Sequence, residues 1–142
     1  MPATIFLTFK TISDLDGLGN ITQLSLRQAI NRANRVDVGD ETVIDFALPR
    51  SQTISLFEQL PTLTRKVSIN GTIVIPGVDG GPQTEDKVTV ARNPAYANFE
   101  TFRLFEVANT STASLSNLRL AGGASDGDGG AIKNEGDLTL TG

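Results

Sequence analysis

Val88-Thr-Val90 recurs as Ala113-Ser-Leu115 and again as Leu138-Thr-Leu140, each copy 25 residues after the one before it. Val67-Ser-Ile69 precedes the first copy by 21 residues. Apolar side chains that return at such an interval indicate turns of chain stacked on one another, with inward positions forming columns about 4.8 Å apart. The repeat therefore favours a β-solenoid over a β-sandwich, which is the alternative for short strands with tight turns.

The same interval relates positions outside these triplets. Val107 maps onto Ile132, and Asn109 maps onto Asn134. Stacked asparagines at a corner bond through their side-chain amides, so Asn109 and Asn134 are predicted to begin an Asn ladder.

Short runs of period two fill the chain from residue 42, separated by Gly, Pro, Asn and Asp. Residues 4 to 10 alternate in the same way and predict an N-terminal strand. The other predicted strands are Val43–Phe46, Thr53–Leu56, Val67–Ile69, Thr72–Ile75, Val88–Val90, Leu104–Val107, Ala113–Leu115, Asn117–Leu120, Ala131–Ile132 and Leu138–Leu140. Because only one segment has helical period, alternating β-α units with a Rossmann-like crevice are unsupported.

That segment is residues 25–34, where Ser25 and Gln28 have the spacing of a capping box. Its apolar residues fall on one helical face: Leu26, Ala29, Ile30 and Ala33. The opposite face carries Arg27, Arg32 and Arg35, which a solvated helix surface explains. A helix of about ten residues is marginal alone, so we expect it to pack against apolar surface.

The amino-acid composition limits the catalytic and metal-binding chemistry that the chain can support. The chain has 142 residues, the size of one domain, with no Cys and no His. Disulfides, thiol nucleophiles, Ser-His-Asp triads and nearly every zinc site are thereby excluded. A net charge of -4 argues against nucleic-acid and anionic-membrane partners. No apolar stretch reaches the ~18 residues that a membrane span requires.

Ser25-Leu-Arg-Gln-Ala-Ile30, Asn31-Arg-Ala-Asn34 and Asp40-Glu-Thr-Val-Ile-Asp-Phe46 together resemble the opening of bacterial right-handed parallel β-helix proteins of the CSLREA type. Leu24 stands where the named domain has its Cys. Later segments resemble coils of this family and of polymorphic outer-membrane proteins: Val67–Gly71, Phe105–Val107, Leu115–Gly123 and Gly129–Thr141. The resemblance implies an extracellular or cell-surface protein whose β-helix is a rigid stalk or adhesive surface, and whose helix caps the first coil.

We therefore predict an all-β fold: a right-handed parallel β-helix of about four coils. Residues 1–142 form one domain, in which 1–41 hold the N-terminal strand, loop and capping helix, and 42–142 hold the coils, the last one incomplete. The residues predicted to point into the core are Val43, Val67, Ile69, Val88, Val90, Val107, Leu115, Ile132, Leu138 and Leu140.

Two acidic loops are candidate sites. Asp126 and Asp128 lie on a Gly-rich loop that is best explained as a corner turn, and the alternative is that their carboxylates contribute oxygens to Ca²⁺. Asp79-Gly-Gly-Pro82 with Glu85-Asp86 forms the second loop, where a metal is less expected. No other cofactor is predicted.

Parallel β-helices also host polysaccharide lyases and hydrolases, whose sites need carboxylates that converge on one sheet face. The predicted outward residues are instead small hydroxyls: Ser68, Thr89, Ser114 and Thr139. The charged strand residues recur at no common coil position: Asp45, Arg103, Glu106, Arg119 and Lys133. The clustered aromatics Tyr96, Phe99, Phe102 and Phe105 are better explained by core packing than by stacking on sugars.

These observations predict a non-enzymatic structural or adhesive module of an extracellular or cell-surface protein. An incomplete last coil leaves unpaired backbone groups, so its expected partner is another copy, stacked end to end into filaments, or the remainder of a longer chain. The alternative is a domain that binds or cleaves polysaccharides. Neither nucleic-acid binding nor membrane insertion is expected of this segment.

Overall fold

The computed structural model describes residues 4–9, 26–46, 53–56, 59–92, 102–124, 127 and 129–142. Strands dominate this part of the chain, which confirms the all-β class. The elements in chain order are β1 (Thr4–Phe9), α1 (Leu26–Ala33), β2 (Glu41–Phe46), β3 (Thr53–Leu56), β4 (Lys66–Asn70), β5 (Thr72–Ile75), β6 (Thr84–Arg92), β7 (Phe105–Val107), β8 (Thr112–Ser116), β9 (Leu118–Ala121), β10 (Ile132–Asn134) and β11 (Asp137–Thr141).

The largest sheet is parallel throughout, in the order β1-β2-β4-β8-β11. Glu41 lies opposite Lys66, and Thr112 lies opposite Asp137, so both of these steps span 25 residues. The step between them is longer, because Lys66 lies opposite Thr112, 46 residues further along. The predicted 25-residue interval is therefore confirmed between β8 and β11, and the step from β2 to β4 has the same length.

An antiparallel hairpin explains much of the long step. β5 pairs with the first half of β6, and the Val88 amide donates to the Gly71 carbonyl at 2.9 Å, which closes the base of the hairpin. Val88-Thr-Val90 is thereby carried into a second sheet, where β6 lies between β3 and β9. The predicted column through Val67, Val88 and Ala113 is wrong, because Val67 lies directly opposite Ala113. A short apolar-polar-apolar triplet does not encode which sheet it joins.

A third, two-stranded sheet pairs β7 with β10, and Leu63 bridges to Val107 beside them. Val107 lies opposite Asn134, whereas Ile132 lies opposite Phe105. The predicted match of Val107 with Ile132 is therefore wrong, and so is the Asn109–Asn134 ladder.

An amide contact forms at another corner. The side-chain Nδ2 of Asn117 lies 3.5 Å from Oδ1 of Asn70, and it donates to Oγ1 of Thr72 at 2.8 Å. The asparagine contact in this structure therefore joins Asn70 and Asn117, not the predicted Asn109 and Asn134.

α1 packs on its apolar face, as its period predicts: Leu26, Ala29, Ile30 and Ala33 are buried. Asn34 holds the helix end in place, since its Nδ2 donates to the Thr62 carbonyl at 2.8 Å and its Oδ1 accepts from the amide of Thr64 at 3.0 Å. Arg27 donates to the carbonyl of Gln59 at 2.9 Å. Ser25, the first residue of the predicted capping box, lies outside the described residues.

One apolar cluster joins α1 to strands of all three sheets. It contains six of the predicted core residues in buried form: Val67, Ile69, Val88, Val90, Val107 and Leu115. Ile132 and Leu138 pack against it half-buried. Leu140 lies opposite the buried Leu115, as its predicted position requires, yet it is 60% exposed.

The prediction for Val43 is wrong, because β2 turns Thr42, Ile44 and Phe46 inward. The run from Val43 to Phe46 offers apolar side chains on both faces of the strand. Period two alone does not decide its orientation, and a shift of one residue exchanges the faces.

Candidate functional site

The outward face of the five-stranded sheet carries rows of small hydroxyls. Ser68 lies opposite Ser114, which lies opposite Thr139, so three of the four predicted hydroxyls form one row. Thr89 belongs to the second sheet instead, opposite Thr53 and Arg119. Such a row fits cross-strand pairing along the stack.

Beside this row, the first strands of the sheet carry opposite charges. The ammonium of Lys66 lies 3.7 Å from Oε2 of Glu41, and Oγ of Ser68 donates to Oε1 of Glu41 at 3.2 Å. The Glu41 carboxylate therefore links β2 to β4 through two side-chain contacts.

A second polar group crosses the two-stranded sheet. Nε2 of Gln59 donates to Oε2 of Glu106 at 2.9 Å, and Glu106 lies opposite Lys133 in the register. Lys133 in turn lies 3.0 Å from Oε1 of Glu135. The prediction that charged strand residues share no position is thus wrong for Glu106 and Lys133. Opposite charges at paired positions stabilise neighbouring strands.

Among the described residues, no group of three His, Cys, Asp or Glu side chains could hold a metal ion. Asp126 and Asp128, the predicted Ca²⁺ ligands, lie outside the described residues. In the second acidic loop, Oδ1 of Asp86 forms an ion pair with Nη2 of Arg119 at 3.0 Å. That contact fixes the hairpin against β9.

Two of the clustered aromatics belong to the core, as predicted: Phe105 is fully buried and Phe102 nearly so. The guanidinium of Arg92 lies 6.0 Å from the centre of the Phe102 ring, within cation–π range. Tyr96 and Phe99 lie outside the described residues.

Two surface features stand apart from these paired groups. The polar face of α1 borders a cavity of about 200 Å³ lined by Gln28, Asn31, Arg32 and Arg35. The outer part of the β5–β6 hairpin is acidic and exposed, and it includes Val78, which is 82% exposed. Sequence reasoning missed the antiparallel pairing, although Gly80-Gly81-Pro82 between two strand-like runs is a turn signal that supports it.

A further cavity, of about 240 Å³, opens beside β11 and is mostly apolar. Its apolar lining consists of Leu115, Leu118, Leu120 and Leu140. It continues the inward side of the stacked strands.

Comparison of the chain with protein-family models, with curated proteins and with solved structures gives no match. Among the residues that the structure describes, no helix is long and apolar enough to cross a membrane.

Proposed function

We propose that the chain is a right-handed parallel β-helix that serves as a structural or adhesive module of an extracellular or cell-surface protein. One observation carries the proposal: parallel strands return to the same sheet at a 25-residue interval, from β2 to β4 and from β8 to β11. The sheets are also visited in a constant order. β4, β6 and β7 join the first, second and third sheets, and β8, β9 and β10 repeat that sequence.

The corners support the same interpretation, because hydrogen bonds there join consecutive passes of the chain. Oγ of Ser111 donates to the Arg65 carbonyl at 2.7 Å, and Oγ1 of Thr110 donates to the Thr64 carbonyl at 3.0 Å. With backbone bonds also running along the stack, each pass is held by its neighbours. Such an architecture suits a stiff stalk, and its outward rows provide a regular surface.

In this proposal α1 is the N-terminal cap. Its apolar face is buried against the core, and its polar face points outward. Its anchors, Arg27 and Asn34, bond the segment from Gln59 to Thr64, which follows β3 in the first pass through the sheets. End-to-end stacking through the apolar surface at Leu140 stays a prediction, checked by negative-stain imaging of purified protein.

Surface exposure tests the function. Antibodies raised against the purified chain should label intact cells of the source organism, and external protease should remove that signal. A cytoplasmic protein included as a control should resist the protease until the cells are lysed. Signal that appears only after lysis would overturn the proposal.

A panel of neutral and acidic glycans tests the non-enzymatic part. We expect no release of unsaturated or reducing sugar products. Product release that scales with protein concentration would establish the polysaccharide-cleaving alternative.

A further inference from the structure

The hairpin arm, defined as residues 72–87, is an addition to the stacked strands. At its base the Val88 amide bonds the Gly71 carbonyl, so the strands on either side already meet without it. The Gly71 amide continues the stack by donating to the Ser116 carbonyl at 2.8 Å. The base of the arm also belongs to the core, because Ile73 is fully buried there. The outer part, residues 78–85, is exposed and makes no such contribution.

The arm is nevertheless held in one orientation. Asp86 pairs with Arg119 at 3.0 Å, and Asn117 donates to Thr72 at 2.8 Å. At the base of the arm, the ammonium of Lys87 donates to the Gly142 carbonyl. A projecting segment that is fixed in advance loses little entropy on binding, which suits it for recognition.

The exposed surface of the arm is apolar and acidic. Val78 at its tip is 82% exposed, and Val74 is 50% exposed. The arm contains three acids, namely Asp79, Glu85 and Asp86, and one basic residue, Lys87 at its base. Exposed valines beside carboxylates fit a partner surface that is apolar and basic.

The chain itself carries such a surface, the basic face of α1, defined by Gln28, Asn31, Arg32 and Arg35. Residues 26–36 contain three arginines and no acid, and two acids, Asp37 and Asp40, follow on either side of Val38. In the part of the chain that the structure describes, no ion pair involves Arg32 or Arg35, and both side chains are exposed. Val38, just beyond this face, is 86% exposed.

We propose that the hairpin arm of one copy docks on the basic face of a second copy. The Asp79 carboxylate lies against the Arg32 and Arg35 guanidinium groups, and Val78 packs on Val38. The arrangement goes beyond the scaffold function and uses surfaces distinct from the apolar one at Leu140. Because the two docking surfaces differ, the contact is head-to-tail and leaves one of each free for further copies.

Sedimentation velocity on the purified chain at rising concentration tests this docking. We expect association at low ionic strength and its loss in ~1 M NaCl, where the Debye length falls to about 3 Å. Asp79→Asn removes the charge while asparagine tolerates the left-handed conformation of this residue, whose φ is 53°. We expect this variant and Arg35→Gln each to raise the Kd about tenfold. Asp137→Asn, an exposed acid outside both surfaces, should leave the Kd unchanged.

Mixing two variants, each of which lacks one of the docking surfaces, tests the docking most directly. A chain with Asp79→Asn and Glu85→Gln keeps its basic face, and a chain with Arg32→Gln and Arg35→Gln keeps its arm. Each alone should remain monomeric with an unchanged melting temperature, whereas an equimolar mixture should form dimers and nothing larger. A monomer at every concentration, or association that ignores these substitutions, would overturn the docking. Either result leaves the scaffold proposal intact, since surface labelling tests that proposal separately.

Discussion

Asn34 links the end of α1 to the segment that follows β3, and replacing it tests that link. Asn34→Ala removes the donor to Thr62 and the acceptor of both Thr64 hydrogen bonds. Loss of partners for part-buried polar groups should lower the free energy of unfolding by about 1–3 kcal/mol. Urea denaturation measures the change. Asn31→Ala, at an exposed position of the same helix, should stay within about 0.5 kcal/mol of the parent; equal effects at both positions would contradict the anchoring role.

Gly71 marks a close approach of two backbones. A Cβ there would lie 2.4 Å from the Asn117 carbonyl oxygen and 2.4 Å from a methyl of Leu118. Because a backbone atom cannot move aside cheaply, Gly71→Ala should cost about 1–3 kcal/mol in unfolding free energy. At Gly130 the added Cβ meets only the Gly123 carbonyl at 3.7 Å, so Gly130→Ala is the matched control. Thermal melting of both variants distinguishes them, and similar melting temperatures would refute the close approach.

Among the strands, β6 contains both a buried and a projecting half. Val90 in the buried half has no exposed surface, so Val90→Asp places an unpaired carboxylate in the core and should prevent folding. Val74 on the paired strand β5 is half exposed, so Val74→Asp should fold normally. Circular dichroism of the two variants makes the comparison. A native spectrum for Val90→Asp would show that this part of the core is misassigned.

Period two located most strands, because alternation is a local property of the chain. Thr53–Leu56 and Thr72–Ile75 were predicted with their observed bounds, and the buried face of α1 followed from its 3.6-residue period. Which strand stacks on which depends on the lengths of the segments between them. Val67 and Val88 both begin apolar triplets, which predicts that they stack, whereas the structure places Ala113 opposite Val67.

The candidate site was harder to predict for the same reason. The row of Ser68, Ser114 and Thr139 required only that the outward side of the first sheet be recognised. Glu106 and Lys133 lie opposite each other because the step from β7 to β10 spans 27 residues. This step differs from the 25-residue step of the first sheet. The segments between strands differ in length, so the interval between paired strands differs from one sheet to the next. A single interval therefore cannot predict the register of all three sheets. The Ca²⁺ prediction at Asp126 and Asp128 stays a prediction.

At the scale of the whole molecule, the hairpin arm separates folding from association. Replacing residues 76–83 with Asn-Gly joins Ile75 by a two-residue turn to Thr84, its partner in the hairpin register. The shortened chain keeps the buried Ile73, the Asp86–Arg119 pair and the Asn117–Thr72 hydrogen bond but lacks Val78 and Asp79, so its melting temperature should stay within a few degrees of the parent. Its circular dichroism should remain that of a β protein, because each parallel sheet keeps the pairing of its buried strands. Sedimentation velocity at low ionic strength should then find a monomer. An unfolded product would show that the arm is part of the core fold, and a folded product that still associates would assign self-association to another surface.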